Sequence, residues 1–225
     1  LAVLTSLGGV LLPRFSNYIS TGHIDEFNEL AGKSFSYLIC IALPMVAGLV
    51  LLADPIIGVF SGSSYAPSVP TLQAIAPIIL FVGISGFLSM QILYPMGKEN
   101  LVIIVASCTT IVNVICNLVL IPKYSQVGAA IASSVSELSG MVVVIFIAGR
   151  YLKFSLFNAR QLNYIFGTAI MAVVVYFIGS MDCSNLVKIC VSVPCGAVVY
   201  GLYLLATRDY YAVSVVKLLF NKKSN

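Results

Sequence analysis

Charge is scarce in this sequence, and the scarcity excludes more than any motif does. Only 9% of the residues are Asp, Glu, Lys or Arg, against roughly 25% in an ordinary soluble domain, so a water-facing globular surface is ruled out. Catalytic signatures are missing too. There is no Walker-type loop, no HExxH, no GxSxG and no pair of acids in one aqueous link, which leaves phosphoryl transfer and metal- or serine-dependent hydrolysis without a foothold. Histidine occurs once, as His23, with no second ligand or nucleophile nearby, and reads as a solvated loop residue rather than a proton relay. The six cysteines show no CxxC or metal-ligand spacing; most fall in apolar runs, where a thiol behaves as a small hydrophobe. Cys183 and Cys190 lie near one face and could meet, but spacing alone establishes no bridge. The net charge of +4 comes without an aromatic-interleaved basic patch, so nucleic acid is not an expected partner. No metal and no cofactor is expected either.

What the chain has instead is hydrophobicity: 60% apolar residues and a mean hydropathy of +1.03. A bilayer core takes about 20 apolar residues per helical crossing. Runs at about 1–13, 34–58, 71–94, 101–121, 127–149, 162–181 and 185–206 offer about seven such spans. Strand-like alternation is absent, and hydrocarbon leaves no water for unpaired backbone groups, so the spans are helices. The expected fold is an all-α, polytopic transmembrane helix bundle over 1–206, followed by a cytoplasmic, amphipathic and basic tail at 207–225. Assigning alternate links to opposite sides puts Arg14, Lys33, Lys98, Arg150, Lys153, Arg160, Arg208, Lys217, Lys222 and Lys223 on one side and Lys123 and Lys188 on the other. By the positive-inside rule the first side, with the C-terminus, is cytoplasmic. The polar link STGHIDEFNELAGK at 20–33 reads as a short helix lying on that surface, with Glu29 and Lys33 at i,i+4. The chain opens at Leu1 inside apolar sequence, with neither Met nor a basic n-region before it, which predicts the C-terminal part of a longer polypeptide.

Within such spans the informative residues are the polar ones. At 100° per residue Gln126, Ala130, Ser133, Ser134, Glu137 and Gly140 share one face of the fifth span, opposite Ile131, Val135, Leu138, Val142 and Ile145. The small, polar face is expected to point inward. The preceding span carries Ala106, Thr109, Thr110, Asn113, Cys116 and Asn117 on one face. The short link IPKYSQVG makes the two spans an antiparallel pair, in which Asn113 is the depth-matched partner for Glu137. These amides serve either as interhelical hydrogen bonds or as lining of a hydrated cavity. A carboxyl at mid-depth with no cation beside it is disfavoured in its charged form, which makes Glu137 a proton-coupling candidate or a permanently neutral hydrogen-bond donor. Arg14, directly after Pro13, either snorkels to headgroup phosphate or recognises phosphate on a ligand, for which its guanidinium fork is suited. Pro44, Gly48 and Pro77 lie well inside apolar runs and are hinge candidates.

Four stretches, GGVLLPRFSNYISTGHIDEFNELAGKSFSY at 8–37, ALPMVAGLVLLADPIIGVFSG at 42–62, LYPMGKEN at 93–100 and NVICNLVLIPKYSQVGAAIASSVSE at 113–137, together resemble the polysaccharide-exporting flippases of the multidrug/oligosaccharidyl-lipid/polysaccharide (MOP) superfamily, in particular O-antigen repeat-unit translocases. The resemblance implies the C-terminal lobe of a MATE/MOP-like transporter, with the N-terminal lobe absent from this chain. It also implies translocation of undecaprenyl-diphosphate-linked oligosaccharide repeat units across the bacterial inner membrane by alternating access, for O-antigen or other surface polysaccharide synthesis. Membrane lipids, polysaccharide polymerase and chain-length machinery are the partners implied. On that pattern Arg14 meets the diphosphate at the inner mouth, Asn113, Asn117, Ser133 and Ser134 contact substrate or support the groove, and the last two spans border a lateral opening. A cation-coupled multidrug exporter of the same fold and a non-transporting membrane assembly subunit are the competing readings.

Overall fold

The computed structural model describes residues 2–156 and 158–210, with 2–10 described by backbone alone. All regular structure among them is helical: α1 (Ala2–Ser20), α2 (Ile24–Leu51), α3 (Ala53–Phe60), a 3₁₀ segment (Ser63–Ser68), α4 (Val69–Ile75), α5 (Ile78–Gly86), a wide π-type turn (Phe87–Leu93), α6 (Glu99–Ala148), α7 (Ala159–Gly179) and α8 (Asn185–Ala206). Five stretches are long and apolar enough to cross a bilayer: Ile24–Leu51, Ser63–Leu93, Glu99–Ala148, Ala159–Gly179 and Asn185–Ala206. The expectation of an all-α membrane bundle holds. Of the seven expected runs, 101–121 and 127–149 fall together in Glu99–Ala148, and the first falls in α1, which is not among these five.

The structure revises the sequence reading at helix boundaries, each for a local reason. Pro13 does not end the first helix, which runs on to Ser20 and stops at a turn where Gly22 takes φ +77°, a conformation glycine adopts without penalty. The link at 20–33 is not a separate surface helix: from Ile24 it forms the opening turns of α2, with Asp25 and Glu26 in the first turn, where acids favour the helix dipole. Gly32 does not break this helix. It is a point of close approach, since a Cβ there would lie 3.3 Å from the Phe154 ring. The second apolar run breaks at Leu52 (φ −97°, ψ 12°), beyond both Pro44 and Gly48, which lie inside α2. Pro55 accounts for that position, because it lacks the N–H that would bond to the carbonyl of Leu51. Downstream, Asn158 and Gln161 form a capping box that starts α7 at Ala159, and the Ser184 hydroxyl caps α8.

The chain divides into two compact units: Leu1–Ala42 with Pro67–Leu156, and Leu43–Ala66 with Phe157–Asn225. In the first, an aromatic cluster forms the core. Phe15 meets Phe27 edge-on at 5.2 Å and Phe87 at 6.4 Å, while Phe35 bridges Phe87 at 5.9 Å and Phe154 at 6.5 Å. Each such pair adds about 0.5–1.5 kcal/mol beyond burial. Buried Asn28 ties the loop after α6 to α2: its Nδ2 donates to Ile24 O (2.7 Å) and its Oδ1 accepts from the Lys153 backbone N–H (2.9 Å). An exposed Lys153–Asp25 pair at 3.1 Å flanks that bond.

In the second unit α7 and α8 pack closely along Gly167, Met171 and Val175 on one helix and Ser192, Gly196, Tyr200 and Leu204 on the other. A Cβ on Gly196 would lie 3.0 Å from Val175, the small-residue approach that membrane helices use in place of a hydrophobic driving force. Phe166, Tyr176, Phe177 and Leu202 point outward, as side chains facing acyl chains do. Cys183 and Cys190 are not joined by a disulfide. The tail beyond residue 210 lies outside the described residues.

Candidate functional site

The polar residues of the bundle converge on α6, which is a hairpin rather than a rod. Ser125 leaves the helical region (φ 48°, ψ −125°), and the chain doubles back so that 126–148 runs antiparallel to 99–124. Contacts step regularly along the pair. A Cβ on Gly128 would overlap Leu120 O, Asn113 meets Ser136, and Gly140 sits against Thr109. The antiparallel pair expected from IPKYSQVG is therefore present.

Its interior carries a directed chain of hydrogen bonds. Asn117 Nδ2 donates to Asn113 Oδ1 (2.9 Å), Asn113 Nδ2 donates to Ser136 Oγ (3.1 Å), and Ser136 Oγ donates to Ser133 O (2.8 Å). Asn113 thus ties the two limbs together, a contact worth about 0.6–2 kcal/mol in a membrane bundle, while Asn117 bonds to Asn113 within its own limb. The pairing of Asn113 with Glu137 does not form; Ser136, one residue earlier, takes the amide. The reason is geometric. Gly128, Ala132, Ser136, Gly140 and Val144 are the buried positions along this side, and a four-residue recurrence drifts about 40° per step around an α-helix. At mid-hairpin the contact line has reached Ser136, 100° from Glu137.

Glu137 consequently lies between two packed sides of its limb. Ser136 faces the first limb, and Ser134, buried, faces α4 and donates to Ala74 O. Glu137 itself is half-buried and makes no hydrogen bond or ion pair with any described residue. The opposite side of the limb is exposed at Val135, Leu138 and Val142, in keeping with the apolar face read from the sequence.

Arg14 occupies the interior of α1 as an exposed guanidinium with no ion pair among the described residues. Its neighbour Phe15 fills the aromatic core, so Arg14, about 100° round the helix, points away from it. Ser133 is half-buried. Pro77 separates α4 from α5, whereas α2 continues through Pro44 and Gly48. Among the described residues no group of three His, Cys, Asp or Glu could hold a metal ion.

One polar pair escaped sequence reasoning. Tyr164, fully buried in α7, donates its hydroxyl to Asp209 Oδ2 at 3.0 Å, and Asp209 is itself buried just past the end of α8. A tyrosine in an apolar run and an aspartate in a polar tail carry no signal of each other. Only the antiparallel return of α8 beside α7 joins them.

The family model for the lipid II flippase MurJ matches residues 3–193. An uncharacterized membrane protein of Methanocaldococcus jannaschii is 24% identical over 200 residues, covering 89% of this chain and 39% of that protein. A probable lipid II flippase MurJ of Bdellovibrio bacteriovorus is 27% identical over 155 residues, 66% of this chain and 29% of that protein. Among solved structures, the lipid II flippase MurJ in its inward closed conformation has the same fold, with a TM-score of 0.79 at 21% identity over 92% of this chain and 43% of that one. The chain therefore spans less than half the length of the relatives it matches. With its helix order and hairpin, the match over 3–193 settles the assignment: the chain belongs to the lipid II flippase MurJ family.

Proposed function

We propose that this chain forms part of a transporter that moves a lipid-linked saccharide precursor from the inner to the outer leaflet of a bacterial inner membrane by alternating access, with its C-terminus in the cytoplasm. The observation that carries the reading is the family match across 3–193. Physical need agrees with it. A sugar headgroup crossing about 30 Å of hydrocarbon loses water from every hydroxyl, at kilocalories each, and a groove lined with amides and hydroxyls lowers that barrier. The family points to lipid II, a peptidoglycan precursor, ahead of the O-antigen repeat unit that the sequence motifs resemble. Arg14, exposed and without an ion pair, is assigned to the diphosphate. Asn113, Asn117 and Ser133 support or line the groove, and Glu137, without a partner among the described residues, is the proton-coupling candidate.

Depleting the gene and identifying what accumulates tests this reading. Lipid-linked peptidoglycan precursor trapped at the inner leaflet supports it, and trapped repeat units shift the substrate to surface polysaccharide. Drug sensitivity with both polymers normal replaces it with the multidrug exporter. An assembly subunit that transports nothing would tolerate Arg14→Ala and Glu137→Leu wherever the protein still accumulated.

A further inference from the structure

Pro77 has no N–H to continue the helix, so α4 stops at Ile75 and α5 resumes at Ile78. The last carbonyls of a helix have no partner within it, and in apolar surroundings an unsatisfied carbonyl is costly. Ala74 O belongs to that last turn of α4. It accepts the hydroxyl of Ser134 at 2.5 Å, from a side chain buried in the second limb of α6. A second tie lies eight residues up the same limb, where Gln126 Nε2 donates to Pro67 O at 3.4 Å. The limb thus runs parallel to α4 and is tied at two points, to the 3₁₀ segment just before α4 and to the last turn of α4 beside the break.

We infer that Ser134 is a positioning residue for transport: its bond to Ala74 O latches the Pro77 break to the limb that carries Glu137. Within one turn of that limb, Ser134 binds α4 and Ser136 binds the first limb through Asn113, with Glu137 between them. Bending at Pro77 must carry the Glu137 limb along or break the Ser134 bond. This role takes the Ser134 hydroxyl out of direct substrate contact. Its functional arm rests on the transporter reading above, while its structural arm does not.

The test uses the full-length protein with spin labels at Ser68 and Met90, on either side of the break, and a flipping assay alongside. Ser134→Ala should widen and shift the 68–90 distance distribution and slow flipping roughly tenfold, while Ser134→Thr, which keeps the hydroxyl, should restore both. Pro77→Ala supplies a new N–H and lets the Ile78 N–H reach Ala74 O. In that background, Ser134→Ala should change neither readout further. An unchanged distance in Ser134→Ala, or the same change with and without Pro77, overturns the latch. If Ser134→Ala alone does not accumulate, its recovery by Pro77→Ala supports the latch and its failure in both backgrounds refutes it. The distance readout needs no substrate, so a latch that behaves as expected in a protein that flips nothing sinks the transporter reading alone.

Discussion

Replacing Gly128 with alanine should loosen the α6 hairpin more than any other single methyl added to it. The added Cβ would lie 2.2 Å from Leu120 O and 2.6 Å from Leu120 C, both backbone atoms of the first limb. Real Cβ contacts stay beyond about 3.0 Å, so the limbs must separate by nearly an ångström beside the Ser125 turn, and no rotamer change relieves it. Forced overpacking of this kind costs about 1–3 kcal/mol, and with backbone on one side the upper half of that range is expected. Gly140→Ala is the internal control. There the obstacle, also at 2.2 Å, is the Thr109 hydroxyl, which donates to Val105 O at 3.0 Å and can rotate away for about 1 kcal/mol of lost hydrogen bond. Thermal unfolding of the full-length protein in detergent should therefore rank native first, Gly140→Ala second and Gly128→Ala last. Thr109→Ala should relieve Gly140→Ala but leave Gly128→Ala unimproved. Equal losses at the two glycines, or relief of Gly128→Ala by Thr109→Ala, would refute the hairpin geometry on which the candidate site stands.

Asn28→Ala should cost about 0.5–1.5 kcal/mol, because it removes the acceptor of the Lys153 N–H, and should raise amide exchange at Lys153. Asp25→Asn, which removes only the exposed partner, should cost under about 1 kcal/mol. Tyr164→Phe should lower the unfolding temperature by removing the donor to buried Asp209, at about 1–3 kcal/mol; an unchanged midpoint would mean that the pair contributes nothing to stability. Glu137→Gln should abolish any dependence of transport on a pH gradient at normal protein levels, and a retained dependence would return Glu137 to a packing role.

Much of the architecture was legible because hydrocarbon imposes length and periodicity on every span. The runs at 162–181 and 185–206 fall on α7 and α8, and the short link before Gly128 was enough to fold α6 back on itself. Proline was the less readable signal. Pro13 and Pro44 sit inside continuous helices, whereas Pro55, not singled out, underlies the break at Leu52, and Pro77 does interrupt its run. A missing N–H removes one bond, and whether the helix then breaks depends on what else packs against that turn. The site was legible as a face but not as a set of contacts. Depth alone pairs Asn113 with Glu137. The real contact line drifts along Gly128, Ala132, Ser136 and Gly140 and delivers the amide to a serine instead. Ser134 and Ala74 are 60 residues apart, and Tyr164 and Asp209 are 45 apart. Such pairs depend on tertiary return, for which local pattern holds no record.

The most direct measurement is a leaflet assay on the purified full-length protein. Fluorescent lipid-linked peptidoglycan precursor is placed in both leaflets of proteoliposomes, and a membrane-impermeant quencher is added outside. The account predicts quenching that proceeds past the outer-leaflet fraction, and a marked slowing with Arg14→Ala that Arg14→Lys partly restores. Quenching that halts at the outer-leaflet fraction in native proteoliposomes, as in protein-free vesicles, would contradict it.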